Sequence, residues 1–196
     1  KLALYKIQEG RSLIYKKEFN QSRQTFEDAL NICGDLAAAY YFIGNAYSAE
    51  SEEAYQKSLP NEMTASSNQS ESSEQIEEAR KLLGKAIPMW IRYAELKPQQ
   101  AWMVIHLLKD SLFALDRYSE IEDILKQILK IDKENIEVVA SLSEILSHRG
   151  EDIEAMELID SAMEQDPTSL LVKLIKMKHQ AKKERSGNEY IRGFDD

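Results

Sequence analysis

Apolar residues recur along this chain at spacings of three and four, and one stretch shows the pattern most cleanly. From Val139 to Pro167 it reads VASLSEILSHRGEDIEAMELIDSAMEQDP. Val139, Leu142 and Leu146 share one helical face, and Ala155, Ile159 and Ala162 share another. Between them Arg149-Gly150-Glu151-Asp152 reads as a turn, with Gly150 suited to a helix C-terminus. Pro167 stops the second helix, because proline cannot donate to the helix ladder and restricts the residue before it. Ala155 and Ala162 let two antiparallel helices approach closely, while Ile159 fills the space between them. Such a pair cannot bury its outer faces alone and must stack on copies of itself.

Copies are present. A shift of 34 residues places Ile105, Leu108 and Leu112 over Val139, Leu142 and Leu146, and Ile121, Leu125 and Ile128 over Ala155, Ile159 and Ala162. Gly10, Leu13, Phe19, Ser22, Phe26 and Ala29 form another copy, continued one period on by Tyr40, Ile43, Gly44 and Tyr47. The strongest motifs are Tyr40-Ile43-Gly44-Tyr47, Ala86-Trp90-Pro98 and Ala155-Ile159-Ala162-Pro167. On these residues the chain resembles the tetratricopeptide repeat family over about residues 1 to 184. It departs from the family pattern where Lys109 and Ser143 replace glycine, Lys133 replaces proline and Ile121 replaces alanine. The resemblance implies an all-α fold: a right-handed superhelical solenoid of antiparallel helix pairs, about four repeats plus a C-terminal capping helix. A plain antiparallel bundle would not need a fixed period.

In chain order, helices are expected over 2–16 and 20–33, with Asn20 as N-cap of the second. The first helix of the next repeat covers 36 to about 57. There the period breaks. Ala86, Trp90 and Pro98 arrive about 30 residues late. The inserted stretch at about 51–80 has a middle, Glu62 to Glu74, rich in Ser and Glu, which reads as a disordered loop. Ser72-x-x-Gln75 reads as a capping box, followed by Ile76, Ala79, Leu82 and Leu83 at helical spacing. Both helices of this repeat are therefore expected to be extended into an arm, with a kink or break at Pro88. The arm is either a tolerated insertion or a contact element. Helices at 99–115, 118–131, 135–149 and 151–165 follow. A last helix, 168–184, is expected to bury Leu170, Leu174, Met177 and Ala181 and to wet Lys173, Lys176, Lys182 and Lys183. Ser186-Gly187-Asn188 is expected to end it, leaving 185–196 as a tail.

The net charge of −9 on 196 residues argues against sequence-independent nucleic-acid binding. Cys33 is alone, so it forms no internal disulfide or metal site, and its apolar neighbours suggest a buried thiol. Few cysteines are compatible with a reducing compartment and a cytoplasmic location. No stretch approaches the roughly 18 apolar residues of a membrane span, and no signal peptide is evident. Starting at Lys1 within an expected helix, the chain reads as an excised fragment, an expectation that leaves room for an anchor or further domains outside it. His106, His148 and His179 lie in no metal-ligand spacing, and no Gly-rich phosphate loop occurs. Neither catalysis nor a cofactor is indicated.

The resemblance implies a partner-binding scaffold whose first helices line a concave groove. Carried over position by position, that groove comprises Ile7, Arg11 and Tyr15, then Tyr41, Asn45 and Ser48. It continues as His106, Asp110 and Phe113, then Ala140, Glu144 and His148. The mixture of aromatic and polar groups suits an extended peptide or a helix of another protein. A subclass of the family clamps a C-terminal carboxylate with Lys, Asn and Arg. Here only Asn45 matches, and Ile7, Met103 and Leu107 stand in place of the cations. A narrower resemblance runs through AIPMWIRYAELKPQQAW, RYSEIEDILKQILKID and SHRGEDIEAMELIDSAMEQDP. These segments look like the repeats of the bacterial lipopolysaccharide-assembly adaptor family LapB, which are tethered by an N-terminal anchor and followed by a Cys-x-x-Cys metal module. An alternative role is self-assembly. The N-terminal repeat lacks a polar cap, so two copies could pair there as a homodimer.

Overall fold

The computed structural model describes residues 1–59, 69–132 and 134–192. Among these, nine α-helices and one 3-10 turn occur, and no strand. The helices are α1 (Leu2–Tyr15), α2 (Phe19–Ile32), α3 (Ala37–Ser58), α4 (Gln69–Leu96), α5 (Trp102–Ala114), α6 (Tyr118–Ile131), α7 (Ile136–His148), α8 (Asp152–Gln165) and α9 (Leu170–Arg192). Pro98 opens the 3-10 turn, where its fixed φ fits and its missing N–H costs nothing. The chain forms two compact units, Lys1–Ile121 and Glu122–Asp196.

Three turns show that the period is structural. Lys17, Asp116 and Gly150 all have positive φ, of 64°, 58° and 86°. The residue after each donates its N–H to a carbonyl five residues back: Glu18 to Leu13, Arg117 to Leu112 and Glu151 to Leu146, each at 2.9 Å. These are the left-handed helix ends that satisfy orphan carbonyls. Gly150 adopts this conformation without a Cβ penalty, whereas Lys17 and Asp116 carry one.

In the first unit, pairs of small and aromatic residues set the helix crossings. The Phe26 ring lies where a Cβ on Gly10 would come within 2.5 Å of it. The Trp90 ring lies equally close to Gly44. Phe26 joins Ala3, Ile7, Ala29, Ala39 and Ile43 in one core cluster. Truncating a buried aromatic of this kind to Ala typically costs about 3–5 kcal/mol. Serine hydroxyls tie the crossings by donating to carbonyls of the facing helix: Ser22 to Gly10 at 2.8 Å, Ser51 to Ala79 and Ser72 to Ser58, both at 2.7 Å. Arg23 is buried between helices, stacked 4.3 Å over Tyr47 and ion-paired to Glu50.

In the second unit, Val139 and Ala140 of α7, Ile159 and Ala162 of α8, and Val172 and Ile175 of α9 form the core. Ser143, standing where the first two repeats have Gly10 and Gly44, donates its hydroxyl to the Ala155 carbonyl at 2.9 Å. The hydroxyl thus serves the crossing that a close approach serves at Gly10 and Gly44.

Several expectations are corrected. The N-cap of α2 is Glu18, and Asn20 instead accepts from Arg23 within the first turn. Cys33 is exposed, because α2 ends at Ile32 and Cys33 turns to extended backbone. Residues 69–74 of the expected loop are helical, and Ser72 bonds across to Ser58 rather than capping. The remainder of that loop, 62–68, lies outside the described residues. The helix α4 runs through Pro88 without a break. Its contacts with α3 on both sides of the proline hold it. The helix α9 continues past Ser186-Gly187-Asn188 to Arg192. Its buried face is Val172, Ile175 and His179, while Leu170, Leu174 and Met177 are exposed.

Candidate peptide-binding surface

In the first unit α1 packs beside α3, which brings Arg11 and Tyr41 to one aromatic cluster. The Arg11 guanidinium stacks 5.0 Å over the Phe42 ring, and its Nη1 donates to Gln8 Oε1 at 3.4 Å. Tyr41 meets Phe42 edge-on, with centroids 5.1 Å apart, and leans on Tyr93 at 5.3 Å. Phe42 in turn stacks on Phe26 of the core at 5.7 Å. The Tyr93 hydroxyl donates to Gln100 Oε1 at 3.2 Å. Burial, and then the neighbouring Tyr41, push the Tyr93 phenol above its usual range, so it stays protonated. Tyr15, near the end of α1, is 83% exposed.

Asn45 is engaged elsewhere. Its Oδ1 accepts from the Trp90 indole Nε1 at 3.0 Å, which satisfies the only polar atom of a fully buried ring. Ile7 and Ala140, placed in the groove by register, are buried core residues, because these positions face the neighbouring helix. His106, Asp110 and Phe113 are exposed along one face of α5, spaced four and three apart.

In the second unit, Glu144 of α7 is half-buried and ion-paired to Lys178 of α9 at 3.2 Å. His148 is exposed in the last turn of α7. Between α7, α8 and α9 lies a polar cluster. His179 Nε2 is 2.7 Å from Ser143 Oγ. Lys182 donates to Asp152 Oδ1 at 2.9 Å and to the Ser147 carbonyl. Ser147 donates to the same Asp152 oxygen at 2.7 Å. Burial lowers the His179 pKa. The Ser147 hydrogen bond, followed by the one from Lys182, lowers that of Asp152.

Residue reasoning from register missed Phe42 and Tyr93, on which the Arg11 and Tyr41 contacts rest. The visible signal was the aromatic density of Tyr40-Tyr41-Phe42 and Tyr47. Among the described residues, no helix is long and apolar enough to cross a membrane.

Residues 112–176 match the family model described as tetratricopeptide repeat. No curated protein matches the chain at a significant level. Among solved structures, the chain is similar to YrrB, described as a TPR protein with an unusual peptide-binding site. The identity is 20%, with a TM-score of 0.50, over 93% of this chain and 78% of that one. It is also similar to TTC0263, a thermophilic TPR protein of Thermus thermophilus, at 16% identity and a TM-score of 0.42, over 91% of this chain and 99% of that one. None of these matches points to the lipopolysaccharide-assembly adaptors. Residues 112–176 are thus similar to the tetratricopeptide repeat, and the fold of the chain is that of all-helical repeat proteins.

Proposed function

We propose that the chain is a non-enzymatic scaffold that holds an extended peptide or a helix of a partner protein against its first helices. The carrying observation is the arginine stacked on an aromatic cluster, Arg11 over Phe42 with Tyr41 against the same ring. Such a surface offers rigid contact area at low entropic cost, together with guanidinium donors for peptide carbonyls or carboxylates. The exposed Tyr15 extends it along α1. His106, Asp110 and Phe113 on α5 are further candidates in the first unit, and Glu144 and His148 on α7 are candidates in the second unit, taken by itself. YrrB, a structure of similar fold, is described as having an unusual peptide-binding site, which is in keeping with a peptide ligand. The test is selection from a peptide-display library on the immobilised chain, with the Arg11→Ala, Tyr41→Ala double variant as counter-target. Peptides retained by the wild type and not by the folded variant support the proposal. A selection that enriches nothing, or enriches equally on both, contradicts it.

A second reading, pairing of two copies through the N-terminal repeat, draws on one observation. Leu2, Leu4 and Tyr5 of α1 are all exposed. A monomeric mass by light scattering at micromolar concentration excludes it.

A further inference from the structure

The helix α9 has two apolar faces, and only one is covered. Val172, Ile175 and His179 are buried against α7 and α8. On the opposite side Leu170, Leu174 and Met177 are 81%, 52% and 65% exposed, and Ala181 follows them, also exposed. Their spacing of four, three and four is that of a coiled-coil seam, so the side chains form one stripe along about three turns. In a helical repeat each apolar face is a packing surface, and on α9 this stripe presents one to solvent.

The charges beside the stripe decide what kind of helix fits it. The flanking positions hold Leu171 and Lys178 on one side and Lys173 and Gln180 on the other. None is acidic. Lys178 pairs with Glu144 at 3.2 Å, and Lys173 faces Asp166, whose pKa is lowered first by the Thr168 hydrogen bonds and last by Lys173. Exposed pairs of this kind are weak and exchange readily. In a two-helix seam the flanking residues meet across the interface and set partner choice. A second copy of α9 would offer these lysines no acidic partner. In a parallel pair Lys173 meets the copy's Lys178, and in an antiparallel pair that overlaps the whole stripe Lys178 lies beside Leu171 and Lys173 beside Gln180. Glutamate or aspartate in those positions would complement both flanks.

We propose that the exposed stripe of α9, edged by Lys173 and Lys178, docks an amphipathic helix of a partner protein that carries a heptad-spaced apolar seam and acidic flanks. This surface lies on a different helix from the Arg11–Phe42 cluster and stands independently of peptide binding there.

The test uses two synthetic peptides of about three heptads, identical in their leucine–isoleucine seams, with glutamate or lysine at every flanking position. Each is titrated into the 196-residue chain and followed by fluorescence anisotropy. The glutamate peptide is expected to bind at least about tenfold more tightly than the lysine peptide. Leu174→Glu, at a side chain half in solvent, is expected to weaken it about tenfold or more. Met177→Glu serves the same purpose if Leu174→Glu melts early. The Lys173→Glu, Lys178→Glu double variant is expected to reverse the preference, while Arg11→Ala leaves it unchanged. Failure of the glutamate peptide to bind, equal binding of both peptides, or binding that survives in folded Leu174→Glu overturns the proposal. A dimer of the chain that Leu174→Glu dissociates overturns it in favour of a second copy.

Discussion

The Trp90 indole is fixed to α3 by two adjacent residues. Its ring lies so close to Gly44 that a Cβ there would come within 2.5 Å of Nε1. The same nitrogen donates to Asn45 Oδ1 at 3.0 Å. Close approach and hydrogen bond act at one point of the α3–α4 crossing. Gly44→Ala is therefore expected to destabilise the first unit by about 1–3 kcal/mol through overpacking. Gly84→Ala, on the same pair of helices but with nothing within 4 Å of its built Cβ, is expected to stabilise by about 0.5–1 kcal/mol. Denaturant unfolding of both variants measures this. Equal midpoints would show that the Trp90 contact does not constrain the crossing.

Asn45→Ala leaves a buried indole N–H without its partner, which costs about 1–3 kcal/mol. The loss should appear as a lower melting temperature and a changed tryptophan emission. A variant as stable as the wild type would show that Asn45 is free to serve a ligand instead.

Much of this architecture was legible because its determinants are local. The 34-residue period, the turn before Glu151 and the small-to-large pairing at Ala155 and Ile159 all follow from side-chain size and spacing. What was misread depends on which of two faces finds a neighbour. On α9, Leu170, Leu174, Met177 and Ala181 read as the core stripe because they are apolar at helical spacing. Val172, Ile175 and His179 have equally helical spacing, and only the positions of α7 and α8 select them. Asn45 was assigned to the groove by position in the repeat, and its bond to the Trp90 ring, 45 residues away in sequence, was not legible from that position. The contacts that Arg11 and Tyr41 make with the Phe42 and Tyr93 rings could not be read from register either.

The shared turn geometry gives a further test. Gly150 sits at φ 86°, where any side chain is strained. Gly150→Ala is expected to cost about 1–2 kcal/mol, although its built Cβ meets nothing within 4 Å. Lys17→Gly, in the same conformation, is expected to shift stability the other way or leave it level. Thermal melts of the two variants distinguish backbone strain from contact loss, and a Gly150→Ala variant that melts like the wild type would contradict the strain.

Stability of the second unit should depend on pH through His179. Burial lowers its folded pKa below the unfolded value, so the unfolded chain binds the proton first as pH falls. Its contribution is present above about pH 6.5 and is lost as pH drops through the folded value. Asp152 and Glu144 face the ring and favour its charge, while Lys182 and Lys178 oppose it. Asp152, whose pKa is itself lowered, adds acid sensitivity only at lower pH. Melting temperature against pH should fall more steeply below about pH 6.5 for the wild type than for His179→Gln. Parallel curves would exclude His179 as the source.

The central claim is that a partner lies against the first helices, beside Arg11 and Tyr41. The direct measurement is photo-crosslinking of a library-selected peptide to two variants, one carrying a benzophenone side chain in place of Tyr15 on α1, the other in place of the exposed Glu27 on α2. The account predicts a peptide adduct from position 15, suppressed by Arg11→Ala, and none from position 27. Adducts from position 27 alone, or from both positions regardless of Arg11, would contradict it.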